Sequence, residues 1–229
     1  MSNKLVVIGA GGGGTSVVGK AIKGLEGMGD GFSTIEYHFI DTSKNNYDMI
    51  DPIGDFYKVE KLASNDKNII NGAGGDRFSS LKEAMANAPV FLDKIKLTKK
   101  ETNTFVCVVF SASGGSGSNL AIAILDSLMD KNIPTFALVI GDSGDALKLR
   151  NTQAVLATLN KKATDKGKCL ITYYVNNAEM DASQTKGESI ANDRFKNVMG
   201  IMSLFLSGDN ESLDSTDMAN FINQQDYKG

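Results

Sequence analysis

Residues 111–119 read "SASGGSGSN", between the apolar run "TFVCVVF" (104–110) and the helical pattern "LAIAILDSLMDK" (120–131). A strand end lies before the stretch and a helix start after it, and that position decides how the chain is read. Glycines at such a junction let a ligand approach the backbone. The first N–H groups of the following helix lack intrahelical partners and attract anions. Gly114, Gly115 and Gly117, with Ser113, Ser116 and Ser118 as hydroxyl donors, therefore predict a phosphate cradle. A related stretch, "GAGGGGTS" (9–16), follows the first apolar run. One such loop is common in nucleotide-binding folds; a second at a corresponding strand end asks for a more specific explanation.

Outward from these loops, short apolar runs rich in β-branched residues recur at "KLVVIG" (4–9), "TIEYHFID" (34–41), "PTFALVIG" (134–141) and "CLITYYV" (169–175). Several lack the alternation of a half-exposed strand, which predicts strands buried on both faces of a largely parallel sheet. Helical patterns lie between them: Val17 to Leu25, residues 79–97 with Pro89 expected to end or kink the element, 116–130, 146–164 and 188–206. This alternation predicts a doubly wound α/β fold with helices on both faces, ending in a core helix.

Composition narrows the function classes. The 229 residues carry a net charge of −3, which argues against direct nucleic-acid binding, since phosphate neutralisation needs clustered Lys and Arg. No apolar run reaches membrane-spanning length and the N-terminus lacks a signal-peptide cleavage region, so a cytoplasmic location is expected. Cys107 and Cys169 both fall in or beside strand-like runs and read as free thiols. No Cys/His cluster suits a structural metal, and no protein metal-ligand set is predicted. His38, the only histidine, lies mid-strand and reads as packed.

Gly9, Gly11 and Gly14 satisfy G-x-G-x-x-G after a strand, and Asp41 ends the second strand where a dinucleotide fold keeps its ribose-binding acid. An NAD(P)-dependent oxidoreductase is therefore one reading. It leaves "SASGGSGSN" unexplained, and a further cluster at "NIINGAGGDR" (68–77) adds a third glycine loop. Three loops on one sheet edge suit a triphosphate better than a bridged diphosphate. Asp214 and Asp217, three apart in "SLDSTDM" (212–218), read from spacing alone as helix capping.

In order along the chain, these stretches resemble the tubulin/FtsZ superfamily, and within it the phage tubulins. "VIGAGGGG" resembles the opening glycine loop, "GAGG" (72–75) the loop at the terminal phosphate, "GGSGS" the signature cradle, "IAND" (190–193) the start of the core helix, and "SLDSTDM" the catalytic loop. The resemblance implies GTP or GDP with Mg²⁺ as ligands. Gly12, Gly13, Gly14 and Ser16 are implied at the α- and β-phosphates, and Gly72, Ala73, Gly74, Gly75 and Asp76 near the γ-phosphate. Gly114, Gly115, Ser116 and Gly117 are implied as the main cradle, with Asp41, Thr42 and Ser43 near the magnesium and nucleotide. Asn176 and either Asn192 or Asp193 are implied at the base, and Asn151 at the ribose. Asp214 and Asp217 become the catalytic pair, orienting water in the site of the next subunit of a head-to-tail homopolymer. The chain divides on this reading into residues 1–187, which bind GTP, and 188–229, the core helix, catalytic loop and short helix; the family's second domain is absent. The family further implies phage-DNA positioning with DNA-organising partner proteins in the host cytoplasm, or alternatively plasmid segregation of the TubZ type.

Overall fold

In a computed structural model the residues described are 4–23, 35–50, 53–59, 80–98, 104–177 and 191–198. They form β1 (Lys4–Ala10), α1 (Gly11–Lys23), β2 (Ile35–Asp41), α2 (Asn45–Asp48), β3 (Asp55–Lys58) and α3 (Leu81–Lys94). These are followed by β4 (Thr104–Ser111), α4 (Ser116–Asp130), β5 (Thr135–Gly141), α5 (Ala146–Asp165) and β6 (Ile171–Asn176), and residues 191–198 are helical.

The apolar runs do not alternate because both faces of the central strands are covered. In β1, Val6, Ile8 and Ala10 enter one core while Leu5 and Val7 enter another. In β4, Val106, Val108 and Phe110 join the first core, and Phe105, Cys107 and Val109 the second. Helices α3, α4 and α5 cover the first face through residues such as Phe91, Leu125 and Leu159. Helix α1 and the helical segment 191–198 cover the second through Val18, Ala21, Ala191 and Phe195. Burial of Cys107 pushes its thiol well above the usual range, and both cysteines are free.

All strand pairs are parallel, in the order β3-β2-β1-β4-β5-β6. The chain winds outward from β1 to β3, then returns to place β4 on the opposite side of β1. The order therefore reverses between β1 and β4, and ligands of open α/β sheets bind outside the strand ends at such a reversal. Ala10 is in register with Phe110, so the two strands finish level and release both glycine loops side by side.

Two elements differ from expectation. The edge strand β3, "DFYK", has no apolar run to announce it; it forms by pairing with β2, and Phe56 stacks against Tyr47 at 4.9 Å between ring centroids. Of the end or kink expected at Pro89, the end does not occur: α3 continues to Lys94. Proline removes one backbone bond, but Ala84 and Ala88 before it, and Phe91 and Leu92 after it, are all buried in the same core. Packing on both sides of the proline holds the helix together.

His38 is packed in β2, as its position implied. Burial holds the imidazole below its usual pKa, opposed by Glu36 at 3.5 Å and Asp55 at 3.9 Å. Among the described residues, no helix is long and apolar enough to cross a membrane.

Candidate functional site

The two glycine loops touch through their backbones. Gly11 opens α1 at φ +69°, a conformation that L side chains rarely adopt. A Cβ on Gly11 would lie 2.4 Å from the Cα of Gly117, and one on Gly117 would lie 2.8 Å from the Cα of Gly11. No side chain fits between the loops, so the starts of α1 and α4 are held against one another.

Beside this contact opens a cavity of about 350 Å³, large enough for a small ligand. Its floor is made of Gly11, Gly12 and Gly13 from the first loop and Gly114, Gly115, Ser116 and Gly117 from the second. Neither α1 nor α4 carries an acidic residue in its first turn, and Gly115, the N-cap of α4, supplies no side-chain cap. The positive dipole end of α4 is thus left for an anion.

Asp41, Thr42 and Ser43 form the wall at the end of β2. The Thr42 backbone N–H donates to Asp41 Oδ1 at 2.7 Å and its hydroxyl to the same oxygen at 3.3 Å. Burial nevertheless pushes the Asp41 carboxyl above the usual range, and the hydrogen bonds from Thr42 and Ser43 only partly offset it. A raised carboxyl costs stability once ionised: that cost is absent below the ordinary value of about 3.9 and develops as pH rises through the raised one. Asp41→Asn is therefore expected to stabilise the ligand-free chain at pH 7 and to change it little at pH 3, measured by urea denaturation at both.

Among the implied phosphate contacts, Gly14 and Ser16 do not line the cavity. Gly14 instead allows α1 to lie on β4, since a Cβ there would meet the Val109 carbonyl oxygen at 2.1 Å. Asn151, on α5, lies behind the second loop and donates from Nδ2 to the Ser113 carbonyl at 3.0 Å. Asn176, at the end of β6, donates to Ser143 Oγ at 2.9 Å. Asn192 keeps a buried Oδ1 with no hydrogen-bond partner among the described residues, whereas Asp193 is exposed and 3.7 Å from Lys196. Gly72, Ala73, Gly74, Gly75, Asp76, Asp214 and Asp217 lie outside the described residues.

Sequence reasoning missed Asn45 and Asn46, which also line the cavity; the Asn46 amide lies where a Cβ of Gly12 would be, at 2.1 Å. They follow Thr42 and Ser43 in the polar run "TSKNN" (42–46), and only the fold brings these two asparagines to the glycines. Among the described residues no group of three or more His, Cys, Asp and Glu is placed to hold a metal.

No family model matches the chain. A phage tubulin-like protein of Pseudomonas phage 201phi2-1 is 27% identical over 151 residues, covering 66% of this chain and 45% of that protein. A protofilament structure of TubZ from bacteriophage PhiKZ superposes with a TM-score of 0.75 at 21% identity, covering 99% of this chain and 64% of its own. A structure of the phage tubulin PhuZ with GDP gives a TM-score of 0.75 at 26% identity, covering 98% and 63%. The chain thus spans about half the length of its curated relative and under two thirds of these two structures. Its fold is that of tubulin-like nucleotide-binding domains, and the proteins it is similar to include phage tubulins.

Proposed function

We propose that the chain is the nucleotide-binding part of a tubulin-like GTPase that assembles head to tail and hydrolyses GTP where subunits meet. The observation that carries this reading is the Gly11–Gly117 backbone contact, which joins two glycine-rich helix starts over one cavity. A triphosphate has charge enough to occupy both starts. The phage tubulin structure with GDP supports guanine as the base, and the TubZ protofilament supports self-assembly.

In this reading Gly12, Gly13 and the cradle at Gly114–Gly117 bind the phosphates through backbone N–H groups, excluding water from their charge. Asp41, with Thr42 and Ser43, would hold Mg²⁺, which supplies charge neutralisation at the phosphates; one buried carboxylate completed by phosphate oxygens suits that ion. Asn192, whose buried acceptor has no partner among the described residues, is the better base contact of the pair left open by the sequence. Gly72–Asp76 would sit near the γ-phosphate, and Asp214 and Asp217 of one subunit would orient the attacking water in the next. Positioning of phage DNA in the bacterial cytoplasm, with DNA-organising partners, follows from the same reading, and plasmid segregation is its near alternative.

A shared site has a kinetic signature. Phosphate release per subunit is expected to steepen with protein concentration, in step with GTP-dependent sedimentation. A rate per subunit independent of concentration would contradict hydrolysis between subunits.

One observation favours a second reading. The strand order is also that of dinucleotide-binding folds, and Asp41 ends β2 where those folds bind ribose. That reading leaves the α4 cradle without a ligand group.

A further inference from the structure

An anion site needs its N–H groups turned inward and its carbonyl groups held elsewhere, because a carbonyl oxygen carries the same sign of charge as a phosphate. In the second glycine loop, three successive carbonyls are each bonded to a buried side-chain donor. Asn151 Nδ2 donates to the Ser113 carbonyl at 3.0 Å. The Ser118 hydroxyl lies 2.8 Å from the Gly114 carbonyl and 2.9 Å from that of Gly115, so its one proton is shared between them. Ser118 is fully buried and Asn151 is 8% exposed. We propose that Asn151 and Ser118 are positioning residues that tie back the Ser113, Gly114 and Gly115 carbonyls and so orient the cradle's N–H groups toward a polyphosphate. The inference rests on the cradle's being a phosphate site, not on the identity of the base.

The ordinary explanation for Ser118 is the back-bonding common to serine and threonine in helices, and Ser127 and Thr158 do this in α4 and α5. Ser118 differs in its acceptors, which are the loop residue Gly114 and the N-cap Gly115. Asn151 is not local at all: it reaches from α5 across 38 residues of sequence. Its own position is fixed by the next residue. Thr152 Oγ1 accepts from the Asp142 backbone N–H at 3.1 Å and lies 3.4 Å from the Asp142 carbonyl, tying α5 to the end of β5. Two elements therefore converge on one loop from behind, while its other side faces the cavity.

The test uses the chain itself with inorganic tripolyphosphate as a base-free probe and GTP in parallel, each affinity read by calorimetry. Ser118→Ala and Asn151→Ala are each expected to weaken tripolyphosphate binding roughly 5- to 10-fold, the scale of one lost neutral hydrogen bond. Ser118→Thr keeps the hydroxyl and is expected to retain binding within about twofold of wild type. Thermal midpoints without ligand separate folding from binding: a merely structural role lowers the midpoint and leaves the affinity of the folded fraction unchanged, which would overturn the proposal. If either alanine variant does not fold, the other and the Thr variant decide. Wild-type chain that fails to bind tripolyphosphate overturns it as well. Tripolyphosphate binding that is sensitive to both variants, without GTP binding, would uphold it while rejecting the guanine-nucleotide reading.

Discussion

Gly11→Ala is expected to destabilise the chain by about 3 kcal/mol and to abolish nucleotide binding. Two costs combine. A left-handed backbone costs a non-glycine residue roughly 1–2 kcal/mol. The new methyl would also stand 2.4 Å from the Gly117 Cα, and because the obstacle is backbone it cannot swing aside. Forcing the loops apart adds about 1–3 kcal/mol, the usual range for overpacking. The contrast is Gly114→Ala. Gly114 lines the same cavity, but a Cβ there meets nothing within 4 Å, so stability is expected to stay within about 0.5 kcal/mol. Urea denaturation of the two variants separates a glycine that the fold requires from one that only the ligand would notice.

Asp217→Ala is expected to leave GTP affinity unchanged and to lower phosphate release at least about 100-fold, the lower end of the range for a positioned acid or base. On the proposed assembly the residue belongs to the neighbour's site, so its loss removes water activation and none of the phosphate contacts. Mixing the variant with wild-type chain adds a second readout. Each site would need one wild-type loop and an intact pocket from either chain, so adding the variant to dilute wild-type chain is expected to raise release per wild-type subunit. If the variant instead lost GTP binding, Asp217 would act within its own subunit as a structural or ligand contact.

What was legible beforehand follows from the physics of burial. Strands covered on both faces leave continuous apolar runs, so β1, β4 and β5 could be read directly, while β2 and the edge strand β6 were legible from their β-branched and aromatic residues. The start of α4 was legible at Ser116 because a glycine–serine turn meets an apolar helical pattern there. The strand β3 was not, since it forms by pairing at an edge rather than by its own composition. The same limit applies within the site. A glycine that lines a cavity and one that does not look alike in sequence: Gly12 and Gly13 face the cavity, while Gly14 makes room for the Val109 carbonyl. Asn151 is implied at a ribose by resemblance, and the hydrogen bond from its amide to the Ser113 carbonyl is seen only in the fold. An asparagine side chain, donor and acceptor at once, has too many uses for its partner to be read without the fold. Asn46, an exposed residue after a strand, was invisible for the same reason.

The central claim is that the two glycine loops form one site for a guanosine triphosphate. Calorimetric titration of the chain with GTP and, separately, with NAD tests it most directly. The account predicts one GTP bound per chain, competition by GDP, and no heat from NAD. Saturable NAD binding in the absence of GTP binding would contradict it and return the chain to the dinucleotide reading.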